Sequence, residues 1–345
     1  MTDHLKLRVH LLNNSQAFLD MSWSNIDSMN LEGAIISNIN LRASSLKSAN
    51  LTNAVLKNVD LSFCDLTNAN LTNADLTNAN LEGSNLSSAN LTNALLSGAN
   101  LRGCVINRAI LDKATMNNVN LQNSHLKSMK INSINLSGAN FSKSNLSNVT
   151  FINSNLPNTK FNSAILKKIN FKSSNLSAAD LEELSLRNSD LRNSNFSNAS
   201  FFRSRLAESN LSGANFEKSC FMDARLNNTI LKRTILNGAN MDNVDLDNAN
   251  LEDASLIGAC LISASITDAN LIRANFQNAN LAYANLSRSN LANANFKGCS
   301  IYNLALEDAQ DITELTFSES IQEDPFKSDF NDSAPDDDYS VYDNL

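Results

Sequence analysis

The residues able to do chemistry are few and scattered. Histidine occurs three times, at His4, His10 and His125. A histidine works as a general base when a partner orients it, and His125 stands among basic residues with no Asp or Cys beside it. The five cysteines (Cys64, Cys104, Cys220, Cys260, Cys299) contain no CxxC pair, so neither a zinc site nor a disulfide framework is expected. Glu182 and Glu183 are adjacent carboxylates, the residue type of acid–base catalysis, but on a regular wall such a pair is a solvated patch. No phosphate loop, GxSxG or HExxH motif is present. We therefore expect no enzyme, no cofactor and no metal.

The elements that would position these residues follow one rule over most of the chain. From Ile26 to Leu306 every fifth residue is Leu, Ile, Phe or Met, 57 positions without a break in frame. Two residues earlier runs a second column, small at 46 of its 57 positions (Ala, Ser, Thr or Cys). A period of five cannot stay in phase with a helix of 3.6 residues per turn. Two inward residues flanking one outward residue are a short extended segment, and the remaining two must turn the chain. All nine Gly fall two positions after the large residue, with 21 Asn in the same column. These are the residues that best tolerate positive φ.

The phenylalanines count the sides. Ten of them occupy the large column, in five pairs 20 residues apart: Phe141 with Phe161, Phe151 with Phe171, Phe196 with Phe216, Phe201 with Phe221, Phe276 with Phe296. Bulky groups stack so that each layer keeps its volume, and a spacing of 20 means four pentads to a coil. The expectation is an all-β fold, a right-handed quadrilateral parallel β-helix of about 14 coils, roughly 65–70 Å long.

The units Ala69-Asn70-Leu71-Thr72-Asn73 and Ala74-Asp75-Leu76-Thr77-Asn78 match the A(D/N)LXX pattern. The chain thereby resembles the pentapeptide-repeat family over residues 21–309. The resemblance implies the same four-sided helix. It implies no single function, since members include DNA-mimicking binders of topoisomerases and bacterial effectors delivered to host cells.

A rod needs capped ends. Leu5-Lys6-Leu7-Arg8-Val9-His10-Leu11 alternates apolar and polar, which predicts a strand or an amphipathic cap within residues 1–20, with Phe18 and Trp23 nearby. The rhythm stops at Asp311, and residues 310–321, with Ile312, Leu315, Phe317 and Ile321, are expected to cover the last coil. Residues 322–345 are acidic and are expected to be a disordered tail. Within it, Asp324-Pro325-Phe326 resembles a clathrin-adaptor ligand, and Tyr342-Asp343-Asn344-Leu345 resembles a tyrosine-based sorting signal.

The net charge of −8 hides a segregation. Residues 307–345 hold 13 acidic residues and one Lys, whereas residues 1–306 hold 26 basic and 22 acidic. Within 102–233 the balance is 18 basic to 8 acidic. Folding this stretch onto a square puts Arg108, Lys127, Lys167, Lys168, Arg187, Arg205 and Arg225 on one side. Lys113, Lys130, Lys172, Arg192, Lys232 and Arg233 fall on the next, so a basic strip is the candidate interaction surface.

No run of 18 apolar residues exists, so no membrane-spanning helix is expected, and the start lacks a secretory signal. The expected role is a non-catalytic protein-interaction scaffold in the cytoplasm, or an effector reaching a host cell without a signal peptide. The partner protein is open, and self-association through the rod ends is a further expectation. The alternatives are a DNA mimic that occupies a type II topoisomerase, which a net positive rod opposes, and polyanion binding (nucleic acid or anionic lipid) along the strip. Opposite charges also lead us to expect the acidic tail to fold back over that strip.

Overall fold

The computed structural model describes residues 3–12, 18–36 and 38–311. From the first coil onward the chain climbs by one regular step. Parallel bridges join residue i to i+20 from Asn25 with Ser45 to Asn290 with Gln310, with two interruptions. Four pentads therefore make one coil, and the coils stack into a four-sided β-helix, right-handed as parallel crossovers require.

Each pentad is one side and one corner. The small residue, the outward bridge residue and the large residue form the side. The next two residues turn the chain, and the amide of the following small residue closes the corner on the large residue's carbonyl, as Ala74 does on Leu71 at 3.0 Å. Every fifth residue from Trp23 to Asp308 has positive φ, and all nine Gly are among them. Only this left-handed residue lets so tight a corner close.

Three of the remaining amides bind neighbouring coils. Leu71 donates to the Asn90 carbonyl, Asn73 to Thr92 and Asn70 back to Ala49, at 2.7–2.9 Å. The last amide, on the first corner residue, finds the side chain of the bridge residue. Thr72 N–H donates to Asn70 Oδ1 at 3.2 Å, a bond repeated at Ser177 with Asn175 and Ser197 with Asn195. This accounts for Asn or Asp before the large residue. An orphan amide is satisfied locally, while the Asn amide donates down the stack, Asn195 to Asn175 to Asn155 to Asn135.

The core is a column of large side chains, buried almost completely from Met21 to Phe296. All five phenylalanine pairs stack across one coil, from 4.7 Å for Phe201 and Phe221 to 5.4 Å for Phe141 and Phe161. Ser and Cys in the small column are not simply larger Ala. Ser44, Cys64, Ser84, Cys104 and Ser124 each donate to the carbonyl of the large residue 23 positions back, at 2.6–3.0 Å.

Of the two N-terminal expectations, a strand or an amphipathic cap, the strand needs correction. Asp3–Leu12 form helix α1. Leu7 is fully buried and Leu11 packs against the core, the i, i+4 pair of a helix, whereas Leu5 is exposed. The first coil has no coil beneath it, and α1 supplies part of what is missing, since Asn25 N–H donates to Asp3 Oδ2 at 3.1 Å. Phe18 and Trp23 are exposed rather than part of a cap core. The chain then pairs β1 (Leu19–Asp20) with β2 (Ile39–Asn40) in parallel before the regular ladder begins. At the far end the inner residues Ile301, Leu304 and Leu306 are only half-buried. The expected cap and the motifs at Asp324, Pro325, Phe326, Tyr342 and Leu345 lie outside the described residues.

Candidate functional site

Successive coils place the basic residues on two sides and the corners beside them. Arg108, Lys127, Lys167, Lys168 and Arg187 all belong to one corner, where the chain turns out of the side holding Leu126, Leu146 and Leu166. Arg205 and Arg225 are outward bridge residues of that side and neighbours one coil apart. Lys130 is the bridge residue of the next side. Lys113, Lys172, Arg192, Lys232 and Arg233 sit at the following corner.

Ion pairs divide this set. Arg187 pairs with Glu208 and Arg192 with Asp190, each at 2.7 Å. Asp190 is held below the usual carboxylate range, chiefly by its hydrogen bond from Arg192. Lys232 pairs with Glu252 at 2.7 Å, and Arg233 lies 3.9 Å from Asp253. No acidic group lies within ion-pair distance of Arg108, Lys113, Lys127, Lys130, Lys167 or Lys168 among the described residues. The uncompensated charge is thus centred on the first corner.

That corner is also where the ladder opens. Among the described residues from Ile26 to Leu291, only Leu111 and Leu166 of the large column fail to donate to the next coil. At the first gap the amides of Arg108, Lys113 and Lys130 are also without their ladder carbonyls; at the second, those of Ser163, Lys168 and Ser185. The bridges Ile110 with Lys130 and Ile165 with Ser185 are missing to match. The bridge residues are Ile110 and Ile165, which offer no side-chain acceptor to the corner amide, but Ile230 and Ile235 lack one too and their rungs close. The left-handed φ of 55–60° at Arg108, Lys113 and Lys168 matches that at closed corners such as Arg233. Both gaps combine an apolar bridge residue with facing like charges. Like charges face each other across the coils, Arg108 near Lys127 and Lys167 below Arg187.

Each gap is an open cleft. The first, about 850 Å³, is lined by Arg108, Ile110, Asp112, His125, Lys127 and Lys130 among others. The second, about 410 Å³, is lined by Ile165, Lys167, Lys168 and Arg187. Ile110 is 46% and Ile165 54% exposed. The cations at this corner are legible in the sequence and the clefts are not, because Ile230 and Ile235 stand in the same column as Ile110 and Ile165 and their rungs close.

The other candidates stand apart from one another. His125 is an exposed bridge residue between Val105 and Asn145. All five cysteines are free, and burial pushes the Cys64 and Cys104 thiols up to about 12. Glu182 accepts a hydrogen bond from Ser200 at 2.8 Å. No cluster of three metal-ligating groups and no helix long and apolar enough to cross a membrane occurs among the described residues.

Comparison with known proteins agrees with the repeat. A family model described as pentapeptide repeats matches eight copies between residues 24–103 and 169–303, and a pentapeptide repeat region model matches 87–161. Among solved structures, HetL from the cyanobacterium Nostoc sp. strain PCC 7120, involved in heterocyst differentiation regulation, is 23% identical. That match covers 88% of this chain and 98% of HetL, with a TM-score of 0.30. QnrB1, a plasmid-mediated fluoroquinolone resistance protein, is 17% identical over 56% of this chain and 91% of its own, with a TM-score of 0.39. Rfr23 from the cyanobacterium Cyanothece 51142 is 32% identical over 31% of this chain and 90% of its own, with a TM-score of 0.24. No curated protein matches the chain.

Proposed function

The chain belongs to the pentapeptide-repeat family, and on that premise we propose that it is a non-catalytic protein-binding scaffold whose contact surface is the basic corner of the rod. The observation that carries this reading is the coincidence of unpaired cations, two exposed isoleucines and two clefts on one rigid edge. Between and beyond the two gaps the backbone of the rod is held by its ladder, so an interface presented on it loses little conformational freedom on binding. The partner surface it fits is acidic with apolar contacts. A reducing compartment, the cytoplasm, suits five unpaired cysteines. An effector role has its support in the short peptide patterns of 322–345 alone.

The test is capture of partners by the full chain and by a variant with Arg108→Glu, Lys127→Glu, Lys167→Glu and Lys168→Glu, read by mass spectrometry. A partner retained by the native chain and lost by the folded variant is the expected result; equal capture by both would remove the corner from the function. The same cations favour a second reading, direct binding of nucleic acid or anionic lipid. That reading requires affinity that falls steeply with salt and survives without protein partners. A topoisomerase-binding role as a DNA mimic is opposed by the positive balance of residues 1–306, and clear inhibition in a supercoiling assay would restore it.

A further inference from the structure

The two gaps are not independent accidents. They border the same corner, and Leu111 and Leu166 are 55 residues apart, just under three coils, or about 13 Å along the rod axis. Each gap offers the same set of groups: backbone amides released from the ladder, unpaired cations, and one exposed isoleucine. Released amides beside cations make an oxyanion-binding concavity. Asp112 is the acidic group lining the first cleft, and it stands against three cations there. An extended peptide advances about 3.3 Å per residue, so carboxylates four or five residues apart would span both gaps.

The chain carries such a peptide. Residues 312–345 hold ten acidic residues and one Lys, and between Glu323 and Asp338 acidic residues recur at 324, 329, 332 and 336 with Phe326 and Phe330 interspersed. Reach is sufficient. From Asp311 the second gap lies about 35 Å down the rod and the first about 48 Å, at about 4.8 Å per coil. The 27 residues to Asp338 span up to about 90 Å extended and about 29 Å as a flexible coil. A tether of this length presents its acidic groups at millimolar effective concentration, beyond that of most free partners.

We propose that the acidic segment 323–338 of the chain docks along this corner, its carboxylates received by the two ladder gaps and its aromatic residues by Ile110 and Ile165. The site's ligand class is an acidic, aromatic-bearing extended peptide, and the chain's own segment is its resident occupant. The proposal rests on reading the corner as the contact surface, and it adds that a partner must displace the segment to bind.

Zero-length carbodiimide cross-linking tests it on the full chain, as an equal mixture of ¹⁴N- and ¹⁵N-labelled protein analysed by mass spectrometry. The expected result is links within single chains from carboxylates of 323–338 to Lys127, Lys130, Lys167 and Lys168. They should be strong in about 20 mM salt and fall about tenfold in about 0.5 M salt. The variant Asp336→Asn, Asp337→Asn, Asp338→Asn should weaken them. Links spread over remote lysines such as Lys47, Lys57 and Lys297, links between chains, or no links would each overturn the proposal. Failure here is separable from failure of the scaffold reading. In that case the charge-reversed corner would still lose its partner while the acidic-segment variant bound it no better than the native chain.

Discussion

One asparagine column satisfies two needs that neither glycine nor an apolar residue meets. Its oxygen takes the corner amide that no ladder carbonyl reaches, and its amide group donates to the Asn one coil below. Inside, phenylalanines do the equivalent for volume. Phe201 and Phe221 stack at 4.7 Å and meet Phe196 and Phe216 edge-on, an arrangement worth about 0.5–1.5 kcal/mol per pair beyond burial. Phe201→Ala should therefore cost about 3–5 kcal/mol. Chemical denaturation would measure it, and a loss under about 1 kcal/mol would show the layer collapsing around the gap. The periodicity and these pairs were legible in the sequence because inward positions repeat without a single insertion. The hydrogen bonds of Cys64 and Cys104 were not, because a carbonyl 23 residues back becomes a neighbour only once the coil is closed.

At the scale of one coil, acceptor supply and charge together bear on whether a rung forms. Rungs with Asn or Asp at the bridge position close, and so do those at Ile230 and Ile235; those at Ile110 and Ile165, beside facing like charges, do not. If the missing acceptor is decisive, Ile165→Asn should let its side chain accept from Lys167 N–H as Asn175 does from Ser177. The rung should then close, with a gain of about 0.5–1.5 kcal/mol and slower exchange of the Leu166 amide. Unchanged exchange at Leu166 would assign the gap to repulsion between Lys167 and Arg187 instead. The helical cap was hidden for a related reason. Leu5, Leu7, Val9 and Leu11 alternate as a strand does, while Leu7 and Leu11 also share one face of a helix. Only the open first coil, with an amide for Asp3 to take, separates the two.

For the molecule as a whole, the coil is the unit that can be removed. Deleting residues 241–260 takes out one full coil and keeps every phenylalanine pair in register, so the fold should survive. Deleting residues 206–210 leaves the pentad frame intact but separates Phe196 from Phe216 and Phe201 from Phe221. Deleting 246–250 separates none. Denaturation midpoints should rank the first five-residue deletion well below the second; equal midpoints would mean that stacking contributes little. The five-residue rhythm, the 20-residue pairing and the charge segregation are properties of the chain order, so the sequence alone determined the four-sided rod and the sides its cations occupy. Which cations stay unpaired, and where the ladder parts, depended on groups 20 residues distant becoming neighbours about 4.8 Å away. Charge and hydrogen bonding act over such distances, and only the closed coil brings those groups within them.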